Sequence, residues 1–314
     1  MKINSIQFFS FLIYLLPAAI ISGPLFPELI VLSCNIFFFI KIIQERNLTF
    51  FNNFFFKFFL VFWIILNISA LFSENILYSL KYSFSYIRYG IFILSVNYLI
   101  NKNKNFINIF YKYLFFTFLI LLIDSYFQFF FTFNLLGFEK PNNYIVSGLF
   151  QDEWILGTYL MRLSPLLIAL YLYLNKDSQT KINSYLFYLA LIFPMIFLSG
   201  QRTPFFLSVI FLFSSLIILK LDKKKILCLL FSVSIIFTNI LIDNKKYEGI
   251  GTGYKNRMFS DIVFNYKNIP KHQENQIEKN KHLKFIFISP SHNALWFTAI
   301  ELFYQKKLFG HGPN

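Results

Sequence analysis

Residues 143–167 read Asn-Tyr-Ile-Val-Ser-Gly-Leu-Phe-Gln-Asp-Glu-Trp-Ile-Leu-Gly-Thr-Tyr-Leu-Met-Arg-Leu-Ser-Pro-Leu-Leu. A polar, glycine-containing loop runs here into an apolar helix. The spacing puts Asp152 and Glu153 at the helix start, where carboxylates suit the positive end of the macrodipole, and Arg162 about two and a half turns deeper. An arginine at that depth in a membrane span marks a functional site by default.

The surrounding chain supports the membrane reading. Its 314 residues are 56% hydrophobic and only 14% charged, with a mean hydropathy of +0.56, which excludes an ordinary soluble domain. The abundance of Phe, Ile, Asn, Lys and Tyr is what an AT-rich genome produces. Part of the +14 charge is therefore coding bias, and no nucleic-acid partner is expected. Arginine is rare against lysine, so Arg46, Arg88, Arg162, Arg202 and Arg257 stand where a bidentate grip on phosphate or carboxylate would require guanidinium. Cys34 and Cys228 lie in apolar stretches and read as packing residues, with no disulfide expected. His272, His282, His292 and His311 follow every predicted span in no metal-binding pattern, so no metal and no cofactor is expected.

In chain order, apolar segments at about 6–22, 25–43, 57–72, 84–100, 110–131, 154–174, 182–198, 204–219 and 226–242 predict an all-α, polytopic integral membrane protein of about nine transmembrane helices. The first has no small-residue cleavage site and reads as a retained helix. Lys and Arg concentrate in alternate loops, which places the N-terminus in the cytoplasm. The loops holding Arg88, Asp152, Glu153 and Arg202 then share the outer face. Residues 1–243 form the transmembrane domain, and 244–314 a polar loop segment at the C-terminal end. Within it, 294–304 is too short to span and suits an interfacial helix.

Asp124 and Gln128 are four apart and share one helix face. Asp124 lies roughly 20 Å above the inner end of its span and Arg162 roughly 12 Å below the outer end of the next, so they could pair at one depth, or Arg162 could belong to a polar chamber. Arg202 precedes a helix start, with Thr203 as N-cap and Pro204 at the first helical position, where free N–H groups favour an anion. Arg202 and Arg88 could hold a lipid-linked phosphate or snorkel to headgroups. Glu153 reads as a general base, a sugar contact or simply a helix-start carboxylate. His292 could orient a hydroxyl or be a solvated residue.

Taken together, Asp124…Gln128, Ser147-Gly148-Leu-Phe-Gln-Asp152-Glu153…Gly157-Thr-Tyr-Leu…Arg162…Pro165, Ser199-Gly200-Gln201-Arg202-Thr203 and Trp296-Phe-Thr-Ala299…Phe309-Gly310-His311-Gly312 resemble the O-antigen ligase and O-antigen polymerase family of bacterial envelope enzymes. The resemblance covers roughly residues 80–314. It implies a metal-independent, inverting glycosyltransferase in the bacterial inner membrane, with a large periplasmic loop. The donor would be undecaprenyl-diphosphate-linked oligosaccharide at the periplasmic face, and other polysaccharide-assembly proteins are possible partners. Arginines would hold the diphosphate, with Arg202, Arg88 and Arg257 as candidates, and a base, Glu153 or His292, would activate the acceptor. Asp124, Gln128, Asp152 and Arg162 would support the site. The family's pattern continues past the Gly-x-Gly turn into a histidine-bearing segment, so a longer reading frame than Asn314 is expected. Two other readings stay open: a lipid-linked-sugar flippase, motivated by the buried charges, and a non-catalytic envelope assembly protein.

Overall fold

The computed structural model describes residues 5–141, 145–175, 187–219 and 290–306. Among them the chain is helical, with no named strand. Among the described residues four helices are long and apolar enough to cross a membrane: Leu25–Glu45, Phe54–Leu71, Phe106–Phe131 and Leu156–Leu174. The shorter apolar helices are Ser5–Ile21, Tyr188–Leu198 and Arg202–Ser215. The expected ninth span at 226–242 and most of the 244–314 loop lie outside the described residues. The chain divides into two compact units, Met1–Phe106 with Phe264–Asn314, and Ile107–Val263.

In the first unit, α1 (Ser5–Ile21) and α2 (Leu25–Glu45) pack with α5 (Ile87–Lys102), and α3 (Phe54–Leu71) packs with α4 (Ile76–Ser85) and α5. Cys34, Phe38, Leu94, Tyr98 and Leu99 are buried together in its core. Small polar groups tie the helices at close range: Ser95 Oγ donates to Cys34 O at 2.9 Å and Asn35 Nδ2 to Arg88 O at 2.8 Å. The Asn53 side chain caps α3, accepting from Phe55 N at 2.8 Å. Phe54 and Phe55 are exposed while Phe56 is buried.

Between the apolar segments expected at 57–72 and 84–100 the chain forms a further helix, α4. Asn75 caps it by accepting from Tyr78 N at 3.2 Å, and its Ser79 and Ser83 are buried. Trp63 Nε1 donates to Ser83 O at 3.0 Å and Ser83 Oγ to Asn67 Oδ1 at 3.0 Å. A face of buried serines carries no apolar period, which is why hydropathy passes over it. The amphipathic stretch expected at 294–304 lies within a longer helix, α10 (Pro290–Gln305), which opens on a proline.

The second unit contains α6 (Phe106–Phe131), α7 (Leu156–Leu174), α8 (Tyr188–Leu198) and α9 (Arg202–Leu219). α8 begins as a π-helical turn over Tyr188–Ile192, with Phe193 N bonded back to Tyr188 O. Pro194 follows at once; it has no N–H for Ala190 O and its ring crowds that carbonyl, so the backbone widens. Tyr126 Oη donates to Leu191 O in the widened turn at 2.9 Å. Tyr188, Leu189, Ile192, Met195, Ile196 and Phe197 pack α8 into the interior, and α7 and α9 pack against it.

Candidate functional site

α6 presents one polar face near its C-terminal end. Asp124 and Gln128 share it, as their spacing predicts, and both are wholly buried together with Ser125. The chain leaves α6 through Thr132, in the left-handed region at φ 70°, and forms a small hairpin with an antiparallel bridge between Phe133 and Glu139. That hairpin folds back along α6. Leu135 N donates to Asp124 Oδ1 at 2.9 Å, Gln128 Nε2 lies 3.4 Å from Phe138 O, and Lys140 Nζ donates to Phe129 O at 2.8 Å. Lys140 is mostly buried there, and loss of solvation pushes its ammonium down to about 8.

The next segment is held by the same helix. Gln128 Oε1 accepts from two successive backbone groups, Ser147 N at 3.0 Å and Gly148 N at 2.8 Å. Asn134 Nδ2 donates to Gly148 O at 3.1 Å, and Val146 N to Leu198 O at the end of α8 at 3.1 Å. Ile145, Val146, Ser147 and Phe150 are buried, so this non-helical strip is interior rather than a surface loop. Gly148 is required twice over. Its φ is +57°, and a Cβ there would collide with Ser125 Oγ and come 3.4 Å from Asp124 Oδ2. Around it Ser125 Oγ and Ser147 Oγ are buried with no hydrogen-bond partner among the described residues, and the Asn134 amide, which donates to Gly148 O, lies beside the Asp124 carboxylate.

The start of α7 meets the turn before α9. Gln201 Oε1 accepts from Thr158 N at 2.7 Å and from Thr158 Oγ1 at 3.0 Å, which satisfies one of the free N–H groups of the α7 N-terminus. A Cβ on Gly157 would collide with Ser199 Oγ and lie 2.9 Å from Gln201 Oε1, so only glycine lets the turn this close. Gly200 in that turn has φ +67°. The motifs around Asp124, Gln128, Ser147-Gly148, Gly157 and Ser199-Gly200-Gln201 therefore converge on one buried polar layer in the second unit.

Several expectations are corrected in detail. α7 starts at Leu156, so Asp152 and Glu153 lie in an exposed turn before it and not in its first turn; the reversal at Gln151, φ +56°, sets them off from the helix. α9 starts at Arg202, which makes Gln201 the residue before the helix and puts Thr203 and Pro204 inside its first turn, where a missing N–H is still harmless. Among the described residues no ion pair joins Asp124 to Arg162. Asp124 is engaged by the hairpin backbone, and Arg162 is exposed on α7.

The other arginines are dispersed. Arg88 belongs to the first unit, where its Nη2 lies 3.2 Å from Glu28 Oε1 and 3.0 Å from Tyr89 Oη, and Tyr89 Oη donates to the same carboxylate at 2.6 Å. Its Nη2 is thus already engaged within the first unit. Arg202 is half-buried at the start of α9. His292 lies near the start of α10. Arg257 lies outside the described residues.

Sequence reasoning overlooked Asn134, Ser125, Lys140 and Glu28. Asn134-Leu-Leu-Gly137 is a turn signal that points to the hairpin. Nothing local marks Glu28, whose partner stands 60 residues away. No protein-family profile, curated protein or solved structure matches the chain.

Proposed function

We propose that this protein is an integral membrane glycosyltransferase of the O-antigen ligase and polymerase type. It would build surface polysaccharide from undecaprenyl-diphosphate-linked glycan at the periplasmic face of the bacterial inner membrane. The observation that carries this reading is the convergence of the separated motifs on one layer, ending at Arg202 where α9 begins. An acceptor hydroxyl attacks the anomeric carbon, the bond from that carbon to the diphosphate oxygen breaks, and the hydroxyl proton passes to Glu153. Diphosphate is a competent leaving group, so catalysis consists mainly in stabilising its growing charge. A guanidinium at the positive end of a helix dipole suits that role. The buried polar layer fixes the strip that leads to Glu153 and the turn that precedes Arg202.

The test is Arg202→Ala beside Arg202→Lys in the full-length protein, with membrane insertion checked by blotting the membrane fraction. Loss of one such donor should lower long-glycan formation roughly a hundredfold. Lysine should restore only part, because it cannot grip two oxygens at once. Unchanged glycan length in the alanine variant refutes the proposal.

A further inference from the structure

The hairpin between α6 and the buried strip has an unusual surface. Phe133, Leu135, Leu136 and Phe138 are exposed, with Leu136 at 68%, and they continue the exposed Phe130 and Phe131 at the end of α6. A turn this apolar is out of place in water. Its backbone is equally telling. Five successive N–H groups at the tip have internal acceptors. Asn134 N donates to Phe138 O at 2.9 Å, Leu135 N to Asp124 Oδ1 at 2.9 Å, Leu136 N to Asn134 Oδ1 at 3.0 Å, Gly137 N to Asn134 O at 2.9 Å and Phe138 N to Asn134 Oδ1 at 2.9 Å. An aqueous turn has water for these groups. A turn in lipid does not, and each unmet donor there is costly.

Depth fits as well. α6 has 26 residues and is about 39 Å long, so it exceeds a hydrocarbon core of about 30 Å by about 9 Å. Asp124 is seven residues before the helix end, so the Leu135 backbone is held about 10 Å back down α6. Lys140 returns to the level of Phe129, nearer the surface.

We propose that residues 133–138 are a lipid-inserted tip, seated at the acyl boundary of the leaflet from which the C-terminal end of α6 emerges. The occupant of this face is the bilayer itself, continuous with the lipid covering Phe130 and Phe131. The Asp124 carboxylate then supplies the acceptor that the membrane cannot. The inference uses the membrane-spanning character of α6 and none of the glycan chemistry.

The test uses the full-length protein in vesicles of phosphatidylcholine and phosphatidylglycerol. On a Cys34→Ala, Cys228→Ala background, a bimane probe is attached at Leu136→Cys, with Leu135→Cys as a second position should the first misfold, and at Asp152→Cys as the exposed reference. The tip probe should be quenched by nitroxide-bearing lipids and lose its quenching by aqueous iodide, with the reverse at position 152. Iodide quenching at the tip equal to that at position 152 overturns the proposal. Shielding from both quenchers also overturns it, because a protein or glycan would then cover the face.

Discussion

Replacing Gln128 by Leu removes one side-chain oxygen and leaves two buried N–H groups, those of Ser147 and Gly148, without an acceptor. Leucine and glutamine are close in volume, so no cavity term enters. An unmet buried donor costs about 1–3 kcal/mol, and two would cost about 2–6 kcal/mol if nothing moved. The strip can relax from α6 while still held at Val146 and Gly148 O, which places the expected loss at about 2–4 kcal/mol. The loss falls on local opening of 145–150. At about 1.4 kcal/mol per decade, amide exchange in that strip should speed up about 30- to 700-fold in the full-length protein, read by mass spectrometry on a peptide covering it. A peptide from the middle of α7 serves as internal reference and should not change. If exchange at 145–150 is unaltered while the protein remains inserted, the carboxamide does not hold the strip and the account of the polar layer is wrong.

Two further outcomes follow from neighbouring residues. Gly148→Ala must place a left-handed residue against Ser125 Oγ, costing about 1–2 kcal/mol for the conformation and about 1–3 kcal/mol for the overlap, whereas Gly137→Ala at φ +87° meets open space and incurs only the first. Thermal melting in detergent should rank Gly148→Ala well below Gly137→Ala, and equal melting temperatures would show that packing at Gly148 is slack. Lys140 is held at about 8 against an ordinary value near 10.5, so between those limits the unfolded chain binds the extra proton and stability rises with pH. The wild type should gain on the order of 1 kcal/mol between pH 8 and 10.5 relative to Lys140→Met, and a flat difference across that range would show the ammonium to be solvated.

How far the sequence could be read differs by element. Helices whose apolar run is unbroken, such as α2, α6 and α7, are legible to within a few residues because burial in lipid or protein demands the same continuous hydrophobicity. α4 is not, since its buried face is made of serines, and the partners of Ser83, Asn67 and Trp63, lie elsewhere in the chain. In the site, the shared face of Asp124 and Gln128 follows from helical spacing alone. Their partners do not: an intramembrane aspartate is expected to seek an arginine, but here a backbone N–H takes that place. Backbone donors have no sequence signature, so Arg162 is the visible candidate and Leu135 the actual one. Gly157 and Gln201 each stand in a recognisable motif, yet only the fold shows that one exists to admit the other.

The two closures of the polar layer differ in the chain length they enclose. Leu135 meets Asp124 across 11 residues, while Thr158 meets Gln201 across 43. The longer loop costs about 1 kcal/mol more in closure entropy. It also needs α8 and the start of α9 to exist before it can form, whereas the hairpin needs only the helix that precedes it. On a chain made from its N-terminus, the hairpin can be complete before Gln201 has been synthesised. The turn that bears Arg202 is then the last part to lock, closing against a base already built.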